Sequence, residues 1–147
     1  MIDGLHNAGA LPVLEKVLQF SGQRQKLLAH HAANIDTPDF RPLDVSVTSF
    51  QHALARAVKE RREATDGSTD QAPLEFQGTR EVQVGRDGRL TLTPRTPTGN
   101  ILYHDRNNRD VERLMQGIAE NGLMYKATVD LIRREHDLLR TAISQRV

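Results

Sequence analysis

Histidine is the side chain here with the widest chemical reach, and His30-His31 is its densest placement. An imidazole can ligate a metal or carry a proton near neutral pH. Adjacent residues on a helix diverge by about 100°, so these two rings cannot easily share one ion. His52, His104 and His136 are scattered, no His-x-x-x-His or His-Glu-x-x-His spacing occurs, and there is no cysteine to complete a ligand set. Serines and threonines are plentiful, but none lies in Gly-x-Ser-x-Gly, and no Gly-x-x-x-x-Gly-Lys phosphate loop is present. Gly85-x-x-Gly88 reads as a hairpin turn, and Arg133-Arg134-Glu135-His136-Asp137 as a solvated helix face. No Asp/Glu pair stands out for acid–base work. The expectation is a protein with no catalytic, cofactor or metal residues, acting through surfaces.

Composition points the same way. The 147 residues amount to one domain's worth of chain, yet only 37% are hydrophobic and 4% aromatic, with no Trp. Mean hydropathy is −0.54. That leans toward extended or partly disordered structure. Twenty basic and 19 acidic residues leave a net charge of +1, which offers no broad basic face for nucleic acid. The first residues, Met1-Ile2-Asp3-Gly4-Leu5-His6-Asn7, lack a basic stretch followed by an apolar run, so no cleaved secretion signal is expected, and no stretch is long enough to span a bilayer. Either a cytoplasmic protein or one exported without a cleaved signal fits.

Surfaces need elements to carry them. A first helix is expected from about Pro12 to Ile35, with Leu11, Leu14, Leu18, Ser21, Gln25, Leu28, Ala32 and Ile35 alternating three and four apart. Ser21 and Gln25 form a polar gap able to set register against a partner. A last helix is expected from about Asn108 to Gln145, capped by Asn107 or Asn108, with Asp110 and Glu112 in its first turn. Its seam reads Met115, Ile118, Gly122, Tyr125, Val129, Ile132, His136, Leu139 and Ile143. Gly117 and Gly122 suggest either a frayed helix or a neighbouring backbone at close range.

The middle is different in character. Phe50, Leu54, Ala57 and Val58 suggest a short amphipathic helix running into the charged Lys59-Glu60-Arg61-Arg62-Glu63 and then Thr65–Gln71, a polar linker. Val82-Gln83-Val84 and Leu90-Thr91-Leu92 read as strands. A two-residue Asp87-Gly88 turn would scatter their apolar residues over both faces. A three-residue loop, Arg86-Asp87-Gly88 with Gly88 left-handed, pairs Val84 with Leu90 and Val82 with Leu92. The expected organisation is residues 1–49, an N-terminal helix and turn; 50–104, a small, weakly packed middle; and 105–147, a C-terminal helix. The fold class is mainly α, with the long terminal helices pairing as an antiparallel coiled coil around an irregular, β-hairpin middle.

Two motifs give a family resemblance. Ala33-Asn34-Ile35-Asp36-Thr37-Pro38-Asp39-Phe40 resembles the Ala-Asn-x-x-Thr-Pro-x-aromatic signature of bacterial flagellar axial proteins, the rod and hook subunits. Asp105-Arg106-Asn107-Asn108-Arg109-Asp110-Val111-Glu112 resembles the Asp-Gly-Asn-Asn-Val-Asp-Leu-Glu segment that opens the last helix of the proximal rod members, and downstream Ala119-Glu120-Asn121-Gly122-Leu123-Met124-Tyr125-Lys126-Ala127 resembles their Ala-Glu-Asn-x-Leu-x-Tyr-x-Ala. The chain departs from the pattern in several places. His30, His31 and Ala32 replace Asn, Asn and Ile, Asp39 replaces Gly, Phe40 replaces Tyr, and Arg106 and Arg109 replace Gly and Val. Gly at position 39 would suit the positive φ of a type II turn; Asp tolerates it less well, so a type I turn is an alternative.

The resemblance implies a structural rod subunit that passes the flagellar type III export apparatus and assembles in the periplasmic part of the basal body. Its implied neighbours are the rod proteins FlgC and FlgF, the basal-body adaptor FliE, and copies of itself, with no nucleic acid and no membrane insertion. The motif and interface residues would be Leu28, Asn34, Thr37, Pro38, Phe40, Asn107, Asn108, Asp110, Val111, Glu112, Glu120, Asn121, Tyr125, Ile132 and Leu139. From the residues alone, a cytoplasmic coiled-coil adaptor or regulator is the alternative.

Overall fold

A computed structural model of the chain describes residues 9–64, 72–96 and 110–144. Three helices and one hairpin occur in the order α1 (Leu11–Ala33), α2 (Val47–Ala64), β1 (Val82–Val84), β2 (Leu90–Leu92) and α3 (Val111–Ser144). The expected linker at 65–71 and the segment 97–109, which holds Asn107 and Asn108, lie outside the described residues.

The helix starts follow capping chemistry. Pro12 sits in the first turn of α1, where an N–H has no partner to lose. Ser46 caps α2: its hydroxyl oxygen accepts the Ser49 N–H at 3.1 Å, and its carbonyl oxygen accepts the Phe50 N–H. Asp110 caps α3 in the same way, its carboxylate accepting the Arg113 N–H at 3.0 Å. The cap therefore falls on Asp110, two or three residues later than an Asn107 or Asn108 cap would place it. A carboxylate at the cap also meets the positive end of the helix dipole.

The hairpin has the register that one-face pairing demands. Val82 opposes Leu92 and Val84 opposes Leu90, and Gly88 has φ +74°. The Gly85 N–H donates to Arg89 O at 2.8 Å, which leaves Arg86, Asp87 and Gly88 as the loop. Three strand residues cannot stand alone. Helix α1 supports them from the side. Gln19 accepts the Leu90 N–H at 3.0 Å, Gln23 donates to the Leu90 carbonyl, and Lys16 donates to the Gly88 carbonyl. Residues 16, 19 and 23 share one helix face, so a polar stripe covers the open edge of β2.

The core sits where weak packing was expected. Phe20 from α1 joins Val45, Phe50, Ala53, Leu54, Ala57, Phe76, Val82 and Leu90, all from the middle of the chain. Phe20 and Phe50 stack with ring centroids 4.0 Å apart, and Phe76 tilts onto Phe50 at 5.7 Å. Three of the four Phe residues are thus concentrated in one cluster, which offsets the low aromatic content of the chain. Helix α2 also runs on through Lys59–Glu63 to Ala64 rather than ending before that charged run. Arg61, buried on its last turn, donates to Ala72 O at 2.7 Å and to Gly9 O at 3.0 Å, tying the start of α1 to the segment before Phe76.

Candidate assembly interface

Helices α1 and α3 pack along their length. Leu28 faces Gly117, Ser21 and Gln25 face Asn121, and Gly22 faces Tyr125, so residue numbers fall along one helix as they rise along the other. The polar gap of α1 meets a polar residue of α3. The Asn121 amide nitrogen donates to Ser21 O at 3.0 Å and to the Gln25 side-chain oxygen at 2.8 Å. Asn121 is 1% exposed, and its own side-chain oxygen has no hydrogen-bond partner.

The buried face of α3 is Leu114, Asn121 and Thr128, each seven residues from the next. This is one position away from the seam read from hydropathy. Met115 is 58% exposed and Tyr125 42%, while Gly122 and Val129 are half-buried. One residue turns the helix by about 100°. For Asn121 the reason lies in α1, whose Ser21 carbonyl and Gln25 side chain accept its amide hydrogens. Thr128 satisfies its hydroxyl locally by donating to Met124 O at 2.7 Å. An added Cβ at Gly117 would meet Leu28 at 3.6 Å, ordinary contact, and at Gly122 nothing lies within 4 Å. No backbone crowds either glycine.

Beside Leu28, Arg24 forms a two-pronged ion pair with Asp44, Nε to Oδ1 at 2.9 Å and Nη2 to Oδ2 at 2.8 Å. Asp44 Oδ1 also accepts the Val45 N–H. The pair links the seam to the chain leaving the turn, and it was not among the expected interface residues. Asp44 carries no local signal, because its partner lies 20 residues earlier.

The Thr-Pro turn closes α1 through its signature residues. Asn34 donates from its side chain to His30 O at 2.8 Å and from its backbone to His31 O at 3.1 Å, occupying two of the last helix carbonyls. Thr37 O accepts the Phe40 N–H at 3.3 Å, and Asp39 has φ +59°. The departure from Gly at position 39 therefore keeps the left-handed geometry, which Asp visits more readily than most residues. Phe40 folds back onto α1, its ring 5.6 Å from His30 and 5.8 Å from His31. The adjacent histidines flank one aromatic ring. Among the described residues no three His, Asp or Glu side chains come together as a metal site would require.

The remaining predicted interface positions divide. Val111, Glu112 and Glu120 are exposed, and Gln116 bonds to Glu120 at 2.8 Å along the same helix. Ile132 and Leu139 are half-buried, whereas Leu131, Leu138 and Ile143 are exposed. At about 1.5 Å per residue, α3 with 34 residues spans about 51 Å and α1 with 23 about 35 Å, so α1 cannot cover all of α3.

The two long helices thus pair, and the middle of the chain supplies a hairpin-bearing core. The chain is similar over nearly its full length to structural proteins of the flagellar basal body rod. It is 28% identical over 138 residues to the flagellar basal body rod protein FlgB of Bacillus subtilis, covering 93% of this chain and 95% of that protein. FlgB of Escherichia coli is 27% identical over 139 residues, with 90% and 89% covered, and FlgB of Proteus mirabilis is 25% identical over 147 residues, with 99% of each covered. No protein-family model matches the chain. The likeness carried by the two terminal motifs thus extends through the middle as well.

Proposed function

We propose that the chain is a structural subunit of the proximal rod of the bacterial flagellar basal body, assembling through its two terminal helices. The observation that carries the reading is the near full-length likeness to rod proteins from distant bacteria. The helix pair supplies the physics. Contacts running in opposite order along α1 and α3, with buried positions seven apart on α3, support an antiparallel coiled coil within the subunit. The stretch of α3 beyond α1, bearing Leu138, Leu139 and Ile143, then offers apolar surface to a neighbour. A contact in which one subunit's tail meets a different face of the next does not close, and generates a helical tube.

On this reading the subunit reaches the periplasm through the type III export apparatus without a cleaved signal. Its neighbours are copies of itself, the rod proteins FlgC and FlgF, and the adaptor FliE. Deleting the gene should abolish flagella and swimming. The wild-type gene should restore both, and a Leu138→Asp/Ile143→Asp gene, altered at two exposed positions beyond α1, should not, although α1, α2 and the hairpin keep their packing. Normal swimming in the deletion strain would overturn the proposal.

A further inference from the structure

We propose that the groove between α2 and the loop before β1 is a docking site for a carboxylate-rich peptide segment of a partner protein, gripped by Arg56, Arg80 and Arg95. The groove encloses about 610 Å³, and its lining includes those three arginines with Ser49, His52 and Ala53 of α2 and Glu81. Residues 49, 52, 53 and 56 form one face of α2. Ala53 is buried and forms the floor, while Arg56, Arg80 and Arg95 are exposed around it.

Two features make this a built site and not a chance cluster. The first is the loop that presents Arg80. Thr79 donates its N–H to Val82 O at 2.7 Å, and its hydroxyl oxygen accepts the Val82 N–H at 3.0 Å and the Glu81 N–H at 3.3 Å. A Cβ on Gly78 would lie 2.8 Å from Val82 O, so a glycine is needed for this closure. Arg95 is held from its backbone, exchanging two hydrogen bonds with Asp44 at 3.0 and 2.9 Å. Two of the three arms thus stand on fixed backbone, and the third on a helix.

The second feature is charge. The lining carries a single carboxylate, Glu81, against three guanidiniums. Asp44 is held by Arg24, and Glu81 accepts the Ser46 N–H at 2.7 Å, completing the start of α2. Among the described residues, none of the three groove guanidiniums forms an ion pair. A guanidinium fork matches a carboxylate with two parallel hydrogen bonds. The groove has no Phe, Tyr or Trp on which bases could stack, which favours an acidic peptide over a single-stranded nucleic acid. The inference does not depend on the rod reading.

The test is fluorescence anisotropy of a labelled poly-glutamate peptide with the full-length chain. Three exposed, charge-assisted contacts predict that Arg56→Gln/Arg80→Gln/Arg95→Gln weakens binding about tenfold, while Arg41→Gln/Arg134→Gln/Arg140→Gln, of equal charge, changes it less than about twofold. If the groove triple variant melts early, single Arg56→Gln and Arg80→Gln variants should each give a partial loss. Equal losses in both triple variants would reduce the site to diffuse charge and overturn the proposal, as would no binding by the wild-type chain. A thymidine oligonucleotide of equal charge that binds more tightly, with sensitivity to the groove variant, would overturn the peptide assignment.

Discussion

Asn121 donates both hydrogens of its amide to α1, one to the Ser21 carbonyl and one to the Gln25 side chain, while its own oxygen is buried without a partner. A single polar residue in a helical seam fixes register at a cost in stability. Leu at this site removes the unpaired oxygen and keeps the four-atom branched shape, with two bulkier methyl groups, so Asn121→Leu should leave the melting temperature unchanged or raise it. Asn121→Asp would bury a charge against two acceptors, the Ser21 carbonyl and the Gln25 side-chain oxygen, and should destabilise by about 3 kcal/mol. Thermal denaturation followed by circular dichroism reads both, and a clear loss of stability in Asn121→Leu would show the polar contacts to be net stabilising.

The Arg24–Asp44 pair makes a second prediction. Asp44→Ala strands a guanidinium that is 11% exposed and removes the acceptor of the Val45 N–H. Because Asp44 keeps 27% exposure, the loss should be about 2 kcal/mol, below that of a fully buried pair. Adding Arg24→Met should recover part of it. A double-mutant cycle by urea denaturation checks this: additive losses would mean that the pair has no coupling.

The two glycines of α3 occupy open or ordinary surroundings. Gly122→Ala should stabilise by about 1 kcal/mol, since a helix interior favours Ala by that amount. Gly117→Ala should do the same, its methyl resting on Leu28. A drop in melting temperature for either variant would mean that these helices approach more closely than the seam shows.

Asp39 holds a left-handed backbone without being glycine. Asp39→Gly should be neutral or stabilise by up to about 1 kcal/mol, whereas Asp39→Val should cost about 2 kcal/mol, because β-branched residues strain most at positive φ. Limited proteolysis after the Thr-Pro turn, compared across the three chains, separates these outcomes: Asp39→Val should be cut fastest.

Much of this architecture is legible in the sequence because it is local. Helix α1 ends near Asn34 and Pro38 because capping and proline geometry act within a few residues. The hairpin register follows from alternation, since a one-residue slip would turn Leu90 out of the core. The polar gap at Ser21 and Gln25 is visible as an interruption in an apolar repeat. What meets that gap is not visible there. The seam of α3 turns on Asn121 and Thr128, which hydropathy discounts: Asn121 finds its acceptors on α1, and Thr128 satisfies its hydroxyl within its own helix. Asp44, Arg95 and Glu81 likewise acquire their roles from partners 20 to 51 residues away. The stacked Phe20 and Phe50, which centre the core, are joined only when α2 folds back on α1. Periodicity along the chain therefore determined which elements form and where they stop. The tertiary structure decided which face of each is buried, because that depends on hydrogen bonds and packing that only the opposing element can supply.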